Sequence, residues 1–266
     1  MNENSNEWYQ AIFKRHSRRK FSDKSVEAGK LERLDELTNS LNQSAGAARI
    51  ALVRSHDGSI FSGIRGGYGV IKGAPAYLAF IAQPQAAESY AQLGYIGEAA
   101  ILEATSLGLG TCWVSGTFDP QAAAADLELA AEERLVAVSP LGYPQSVKSL
   151  TEKVMSGFAG SHKRKPMQQI CTGEPLSKWP VWAVKAVEAA RIAPSAMNRQ
   201  PWIFHYNGQT LSLETAGSGG GNFSKRLDCG IALRHMEIGA QQVSNQAVSV
   251  EFLSAPQVAE ICIDTD

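Results

Sequence analysis

Residues 193–202 read Ala193-Pro194-Ser195-Ala196-Met197-Asn198-Arg199-Gln200-Pro201-Trp202, a rigid turn between an apolar helical run and a strand-like one. Pro194 fixes a backbone angle, and Ser195 and Asn198 favour turns held by their own side chains. The segment therefore presents several hydrogen-bonding groups at little ordering cost. Read alone, it is equally an ordinary helix-to-strand connection in which Gln200-Pro201-Trp202 opens the next strand. Far upstream, Arg15-His16-Ser17-Arg18-Arg19 surrounds one hydroxyl with cations. By itself that cluster fits a solvated helix end that complements the dipole's negative terminus.

Outward from the turn, residues 182–190 carry helical periodicity and stop before Pro194. Residues 202–206 and 210–214 pattern as a hairpin through Asn207-Gly208. A flexible loop over 217–221, a core helix over 227–242 and strands over 248–253 and 261–264 complete that part of the chain. Upstream, the helical spacing of 8–13 runs into the basic cluster, so Arg15 and Arg19, four apart, are expected on one helical face. Val26, Leu31, Leu34 and Leu37 mark a second amphipathic helix. Residues 49–54 and 76–82 read as buried strands, with a Gly-rich loop over 63–69 between them. The Ala-rich stretch 86–107 reads as a core helix stopped by Gly108-Leu109-Gly110, followed by strands over 112–114 and 135–141. The polar region up to Lys178 reads as a long crossing connection and sets the expected boundary between residues 1–165 and 166–266. Overlaying the two core helices sets Leu93, Leu102 and Glu103 on Leu227, Met236 and Glu237, and Ser44-Ala45 mirrors Ser195-Ala196, the pattern of an internal duplication.

At 266 residues and 44% hydrophobic content, the chain can bury a substantial core. Its 25 basic and 26 acidic residues leave a net charge of −1, so no global field favours nucleic acid or an anionic membrane, and any polyanion site is local. Small molecules, not macromolecules, are the expected partners. Cys112, Cys171, Cys229 and Cys262 lack the close pairing of zinc ligands or a redox dithiol. The first residues are polar, and the longest apolar stretch, 90–110, carries Glu98 and Glu103. A cytoplasmic protein is the simplest expectation.

The two motifs together supply what a phosphorylated flavin requires. Flavin mononucleotide (FMN) offers a phosphate, a polyol tail and an apolar ring whose N1/O2 edge gains negative charge on reduction. Arg15, His16 and Ser17 suit the phosphate and the tail, through charge-assisted bonds stronger than neutral ones. Arg19 suits the ring edge, where a cation lowers the cost of accepting hydride. Pro194, Ser195, Ala196 and Asn198 suit the polar edge of the ring. Lys163 and Arg164, in the basic run His162-Lys163-Arg164-Lys165, can close over the phosphate, although such runs are commonly solvated. Gly67-Tyr68 and Ser115-Gly116-Thr117 are candidates for backbone N–H donors near the ring. Trp113, Trp202, His235 and Cys112 read as core residues with no catalytic role.

These residues resemble the flavin-dependent nitroreductase family, in the branch where one polypeptide carries two halves imitating the usual homodimer. Residues 15–19 are similar to its Arg-x-Ser-x-Arg/Lys flavin motif, 193–202 to its Ala-Pro-Ser-x-x-Asn-x-Gln-Pro-Trp motif, and 107–110 to its helix-ending Gly-Leu-Gly. Leu141-Gly142-Tyr143-Pro144, followed by Arg164-Lys165-Pro166, resembles its C-terminal phosphate-binding stretch. The resemblance implies an α+β nitroreductase-like fold, with antiparallel-rich sheets surrounded by helices and two interlocked pseudo-symmetric halves. It also implies an FMN-dependent NAD(P)H oxidoreductase, passing hydride from NADH or NADPH to flavin N5 and on to a nitroaromatic, quinone or related acceptor by ping-pong turnover. The backbone near Gly116 and Thr117 would face N5. The second half lacks an Arg-x-Ser-x-Arg counterpart, and the turn around Ser44 lacks the proline and asparagine. One flavin site per chain is therefore expected, in a pseudo-dimer that needs no second chain. A non-catalytic flavin-binding or sensory protein is the alternative, keeping the same cations but lacking nicotinamide access. A metal- or thiol-dependent enzyme would need clustered ligands that the linear sequence does not reveal.

Overall fold

The computed structural model describes residues 3–54, 59–61, 71–145, 163–217, 223–244 and 246–263. Helices α1 (Glu3–Lys14) and α2 (Ala28–Ser44) lead into β1 (Ala48–Val53) and β2 (Ala76–Ala82), followed by α3 (Ser89–Ser106), α4 (Pro120–Ala125) and β3 (Arg134–Leu141). The three strands pair antiparallel in the order β1-β2-β3. Every residue of β2 is buried, because neighbours take both edges and both faces are covered. Leu78, Phe80 and Ala82 pack with Leu93, Ile96 and Ala100 of α3, while Tyr77 and Ala79 pack with Ile60, Phe61 and Ile71. That is the two-residue alternation of a strand applied to two cores.

The second sheet contains β4 (Cys171–Gly173), β5 (Trp202–Tyr206), β6 (Leu211–Thr215), β7 (Val248–Phe252) and β8 (Gln257–Ile263), with α5 (Met167–Ile170), α6 (Val181–Ala190) and α7 (Phe223–Gln241) between them. Its order is β4-β5-β6-β8-β7, antiparallel except for the parallel β4–β5 pair. Trp202, Phe204, Leu211, Leu213 and Ile261 bury against Ala183, Ala186 and Val187 of α6 and Leu233 and Met236 of α7. The mixed α+β architecture is the expected one.

Several local expectations are corrected. The basic cluster is not helical, since α1 ends at Lys14 and the chain beyond it is extended, so Arg15 and Arg19 do not share a helical face. Residues 112–114 form no strand, only a bridge from Val114 to Val138, because the Cys112 N–H donates to the Ser139 hydroxyl at 3.1 Å and not to a strand ladder. The hairpin loop spans 207–210, as Asn207 Oδ1 accepts from the N–H groups of Gln209 and Thr210 at 2.9 and 2.8 Å and keeps Thr210 out of the strand. The region before Lys178 is more than a connection, because Ile170 is buried and Cys171 pairs with Phe204 in the second sheet. The Gly-rich loop over 63–69 lies outside the described residues.

Helices α3 and α7 join the two sheets by direct backbone approach. A Cβ on Gly94 would lie 2.2 Å from the Leu227 carbonyl oxygen, and one on Gly230 would lie 2.0 Å from that of Ala91. The contact is reciprocal, because Ala91 belongs to the core of the second sheet and Leu227 to that of the first. This pairing sets Ala91 against Leu227 and Gly94 against Gly230, a register two residues away from the overlay read in the sequence. The strand order also recurs: β1-β2-β3, continued by the Val114 bridge to β3, matches β5-β6-β8-β7. Gly94→Ala or Gly230→Ala should force the helices apart and cost about 1–3 kcal/mol or more, as overpacking does. Thermal or urea unfolding checks this, with Gly29→Ala, where an added Cβ meets nothing within 4 Å, expected to be neutral or stabilising.

Candidate functional site

The extended segment after α1 is laced into its surroundings by backbone bonds. The Arg18 N–H donates to the Thr111 carbonyl at 2.8 Å, the Phe21 N–H to that of Lys72 at 3.0 Å and the Ser22 N–H to that of Tyr143 at 2.8 Å. Gly110, the last residue of Gly108-Leu109-Gly110, allows this approach, since a Cβ there would press on the Arg18 side chain at 3.1 Å. Side chains two apart point the same way in an extended chain, so Arg15, Ser17 and Arg19 form one set and His16 and Arg18 another. His16 Nε2 lies 3.3 Å from Arg18 Nη1, and Arg18 turns inward to donate to the Gln145 carbonyl. A small cavity of about 160 Å³ opens here, lined by Lys14, Arg15, His16, Arg18, Thr105 and Thr111 among others.

The turn at 195–200 is conformationally unusual. Met197, Asn198 and Gln200 have φ of 52°, 54° and 51°, left-handed values that non-glycine residues seldom adopt. Side chains hold the turn: the Ser195 hydroxyl accepts the Gln200 N–H at 2.9 Å, and both oxygens of Asp228 from α7 accept the Ala196 N–H at 3.1 Å. Strain held this firmly in a turn rich in polar groups is characteristic of ligand-binding sites.

Arg164 and Lys165 of the basic run fasten onto this turn, while Lys163 is exposed and contributes its carbonyl. Arg164 Nη1 donates to Asn198 Oδ1 at 3.0 Å, Asn198 Nδ2 donates to the Lys163 carbonyl at 3.0 Å, and the Lys165 N–H donates to Gln200 Oε1 at 2.8 Å. Burial depresses the Arg164 pKa, and repulsion from Arg15 and Arg191 depresses it further. Arg15 is thus brought to the same place from the other end of the chain. Its side chain is 8% exposed, and its Nε and Nη1 are buried without a hydrogen bond. The nearest carboxylate is Glu98, whose Oε1 stands 3.7 Å from Arg15 Nε. Converging cations with unused buried donors make an anion-binding site, and a phosphate fits their chemistry.

The structure thus ties Lys163, Arg164, Ser195, Ala196 and Asn198 to one turn and brings Arg15 near Arg164, while Arg19 is half-buried with its carbonyl accepting the Lys72 N–H at 2.9 Å. Pro194 precedes the strained turn. Ser17 is bridged to Thr111. Ser115, Gly116 and Thr117 form an exposed bend after Val114, and no hydrogen bond among the described residues ties them to the cations. Gly67, Tyr68 and His162 lie outside the described residues. Glu98, His235, Asp228, Arg191 and Gln200 were not anticipated as parts of the site. The available signal was charge inside apolar helices, Glu98 in the run 90–110 and Asp228 in the core helix of 227–242.

Comparison with known proteins places the chain in a family. Residues 7–240 match the family model described as "Putative TM nitroreductase". The chain belongs to this nitroreductase family. A putative nitroreductase from Thermotoga maritima shares the fold with a TM-score of 0.64 at 20% identity, over 97% of this chain and 94% of its own. A nitroreductase family protein from Clostridium difficile 630 aligns with a TM-score of 0.47 at 19% identity, over 64% of this chain and 98% of its own. An FMN-dependent nitroreductase from Clostridium difficile R20291 aligns with a TM-score of 0.44 at 20% identity, over 52% of this chain and 88% of its own. No curated protein matches the sequence. No helix among the described residues is long and apolar enough to cross a membrane.

Asp228 makes the site sensitive to pH. Burial raises its pKa from 3.8 to about 7, against the opposing pull of the Ala196 N–H and Arg199. The folded state therefore holds a proton that the unfolded state has released, and stability contributed by this group is lost as pH rises from about 4 through about 7. Asp228→Asn keeps an acceptor for the Ala196 N–H and removes the titration. The variant should gain on the wild type by about 4 kcal/mol between pH 4 and pH 8, with no further change above pH 8. Urea unfolding across that range checks both the sign and the window.

Proposed function

We propose that this chain is an FMN-dependent NAD(P)H oxidoreductase with one composite flavin site. The observation that carries the reading is the buried Arg15 guanidinium, with unused donors, set among Arg164 and Arg191 beside the strained turn at 195–200. Three arginines share this site with the Glu98 carboxylate alone facing Arg15, so an added anion would be favoured, and FMN carries a dianionic phosphate. Bound flavin supplies hydride chemistry at N5, accepting from NADH or NADPH and donating to a small acceptor such as a nitroaromatic or a quinone. Arg15, Lys163 and Arg164 hold the phosphate, His16 stands at its rim, and Ser17 binds the polyol tail. Arg19 faces the N1/O2 edge, where its charge favours the reduced ring. Ser195 keeps its O–H as a donor while its oxygen holds the Gln200 N–H, so it can serve the ring without loosening the turn. Pro194, Ala196 and Asn198 set that turn's shape. The exposed bend at 115–117 would complete the ring surroundings.

The recurring strand order and the reciprocal Gly94–Gly230 crossing support a duplicated chain, with residues 1–165 and 166–266 as its halves. Arg15, Lys163 and Arg164 come from the first half, and Arg191 and the turn from the second, so neither half would bind flavin alone. No side-chain nucleophile would be required.

Arg15→Ala should weaken FMN binding about 10- to 100-fold, the range for losing charge-assisted hydrogen bonds, as read by fluorescence titration. Ser195→Ala combined with Asn198→Ala should also weaken it, and unchanged binding there would remove the shared site. Arg19→Ala should lower the flavin reduction potential. Anaerobic addition of NADH or NADPH should bleach the bound flavin, whereas a flavin that stays oxidised with both would assign the chain to binding or sensing instead.

A further inference from the structure

Glu98 and His235 meet behind the cationic site, both side chains fully buried. His235 Nδ1 lies 3.2 Å from the Ala189 carbonyl oxygen, which can only accept, so Nδ1 carries a hydrogen. On the other side of the ring, Nε2 lies 2.9 Å from Glu98 Oε1. An imidazole lone pair facing an ionised carboxylate oxygen at that separation is repulsive, so a further proton sits between them, on Nε2 or on Oε1. Glu98 Oε2 is taken by the Trp113 indole N–H at 2.7 Å, and Gly97 leaves room for that ring, since a Cβ there would lie 2.6 Å from Trp113 Cη2. With the shared proton the pair is neutral overall. Without it the pair bears one negative charge, and the cation facing Glu98 is Arg15, 3.7 Å away.

We propose that Glu98 and His235 act as positioning residues for Arg15, their shared proton deciding whether its guanidinium is offered to the cofactor phosphate or drawn back onto Glu98. The proposal rests on the reading of Arg15 as a phosphate ligand. Other charges around the pair already have partners. On α7, Arg234 Nη1 bonds Glu237 at 2.7 Å, and Tyr95 of α3 donates to the same carboxylate at 2.9 Å. On α3, Glu103 is held by Arg33 and by the Trp8 indole at 2.6 Å. From α6 the pair meets the Ala189 carbonyl, and beyond Arg15 stand Arg164 and Arg191. Gain or loss of the shared proton is therefore felt chiefly at Arg15. By linkage the effect is reciprocal: if the proton favours phosphate, phosphate favours the proton. The pair draws one member from α3 and the other from α7, so the crossing of these helices is tied to cofactor affinity.

The test compares FMN with riboflavin, which lacks the phosphate, on full-length apoprotein at about pH 7 and about pH 9, above the second phosphate ionisation near 6. In the wild type the preference for FMN over riboflavin should fall about fivefold or more across this range, the lower end of common coupling strengths. In Glu98→Gln, whose amide can serve both Trp113 and His235 without a shared proton, the preference should be higher and its fall smaller, the remainder coming from Asp228 in both proteins. A flat wild-type ratio, or an equal fall in both proteins, overturns the proposal. Should the variant not fold, proton uptake by the wild type near pH 8 replaces it. Uptake should be greater on adding FMN than on adding riboflavin, and equal uptake overturns the proposal. Binding of neither flavin, or equal binding of both at each pH, removes the phosphate reading itself and this proposal with it.

Discussion

Helices α3 and α7 cross with backbone against backbone at Gly94 and Gly230, and the rest of the molecule is arranged around that contact. Each helix faces its own sheet, yet each also contributes a residue to the other's core, Ala91 in one direction and Leu227 in the other. A single added methyl at the crossing would meet a carbonyl oxygen, so the two sheets hold one fixed relation. Because of that relation, Glu98 on α3 reaches His235 on α7, and both stand behind Arg15. Asp228, on the same α7 surface, secures the turn at 195–200 through the Ala196 N–H. One close approach thus positions both a cation from the first residues of the chain and a turn from its last third.

The electrostatics of the site follow from burying cations without matching carboxylates. Arg164 is repelled by Arg15 and Arg191; Arg164 and Arg191 bond to carbonyl oxygens that do not neutralise them, and Arg15 has only Glu98, 3.7 Å away. Such an arrangement costs folding free energy unless an anion is present, which is why it signals binding. Chain-wide charge balance hides it, since a net charge of −1 says nothing about where the charges gather.

The strands that the sequence shows best are those with a simple burial pattern. Residues 76–82 read as a buried strand because every side chain is apolar, and 202–206 with 210–214 read as a hairpin because Asn207-Gly208 marks its loop. What the sequence conceals is set by side chains bonding to distant backbone. The extended course of residues 15–22 depends on Thr111, Lys72 and Tyr143, which no local periodicity reveals, and so the cluster resembles the end of a helix. Residues 112–114 likewise read as a strand until Ser139 captures the Cys112 N–H. In the site, Ser195, Asn198, Arg15 and Arg164 were legible as motif residues. Glu98 and Asp228 were not, because a carboxylate in an apolar helix shows its purpose only when its partner on another element is known. His235 read as a satisfied core histidine and is one, although what satisfies it is a carboxylate beside Arg15.

The most direct measurement of a single composite site is the flavin-to-chain ratio of purified protein, from its absorbance spectrum after incubation with FMN and desalting. The Arg15-His16-Ser17-Arg18-Arg19 cluster occurs in one half and the Pro-Ser-Asn turn in the other, so the ratio is predicted to be about one FMN per chain. Two per chain would contradict the loss of the second site, and a colourless protein would contradict the flavin assignment altogether.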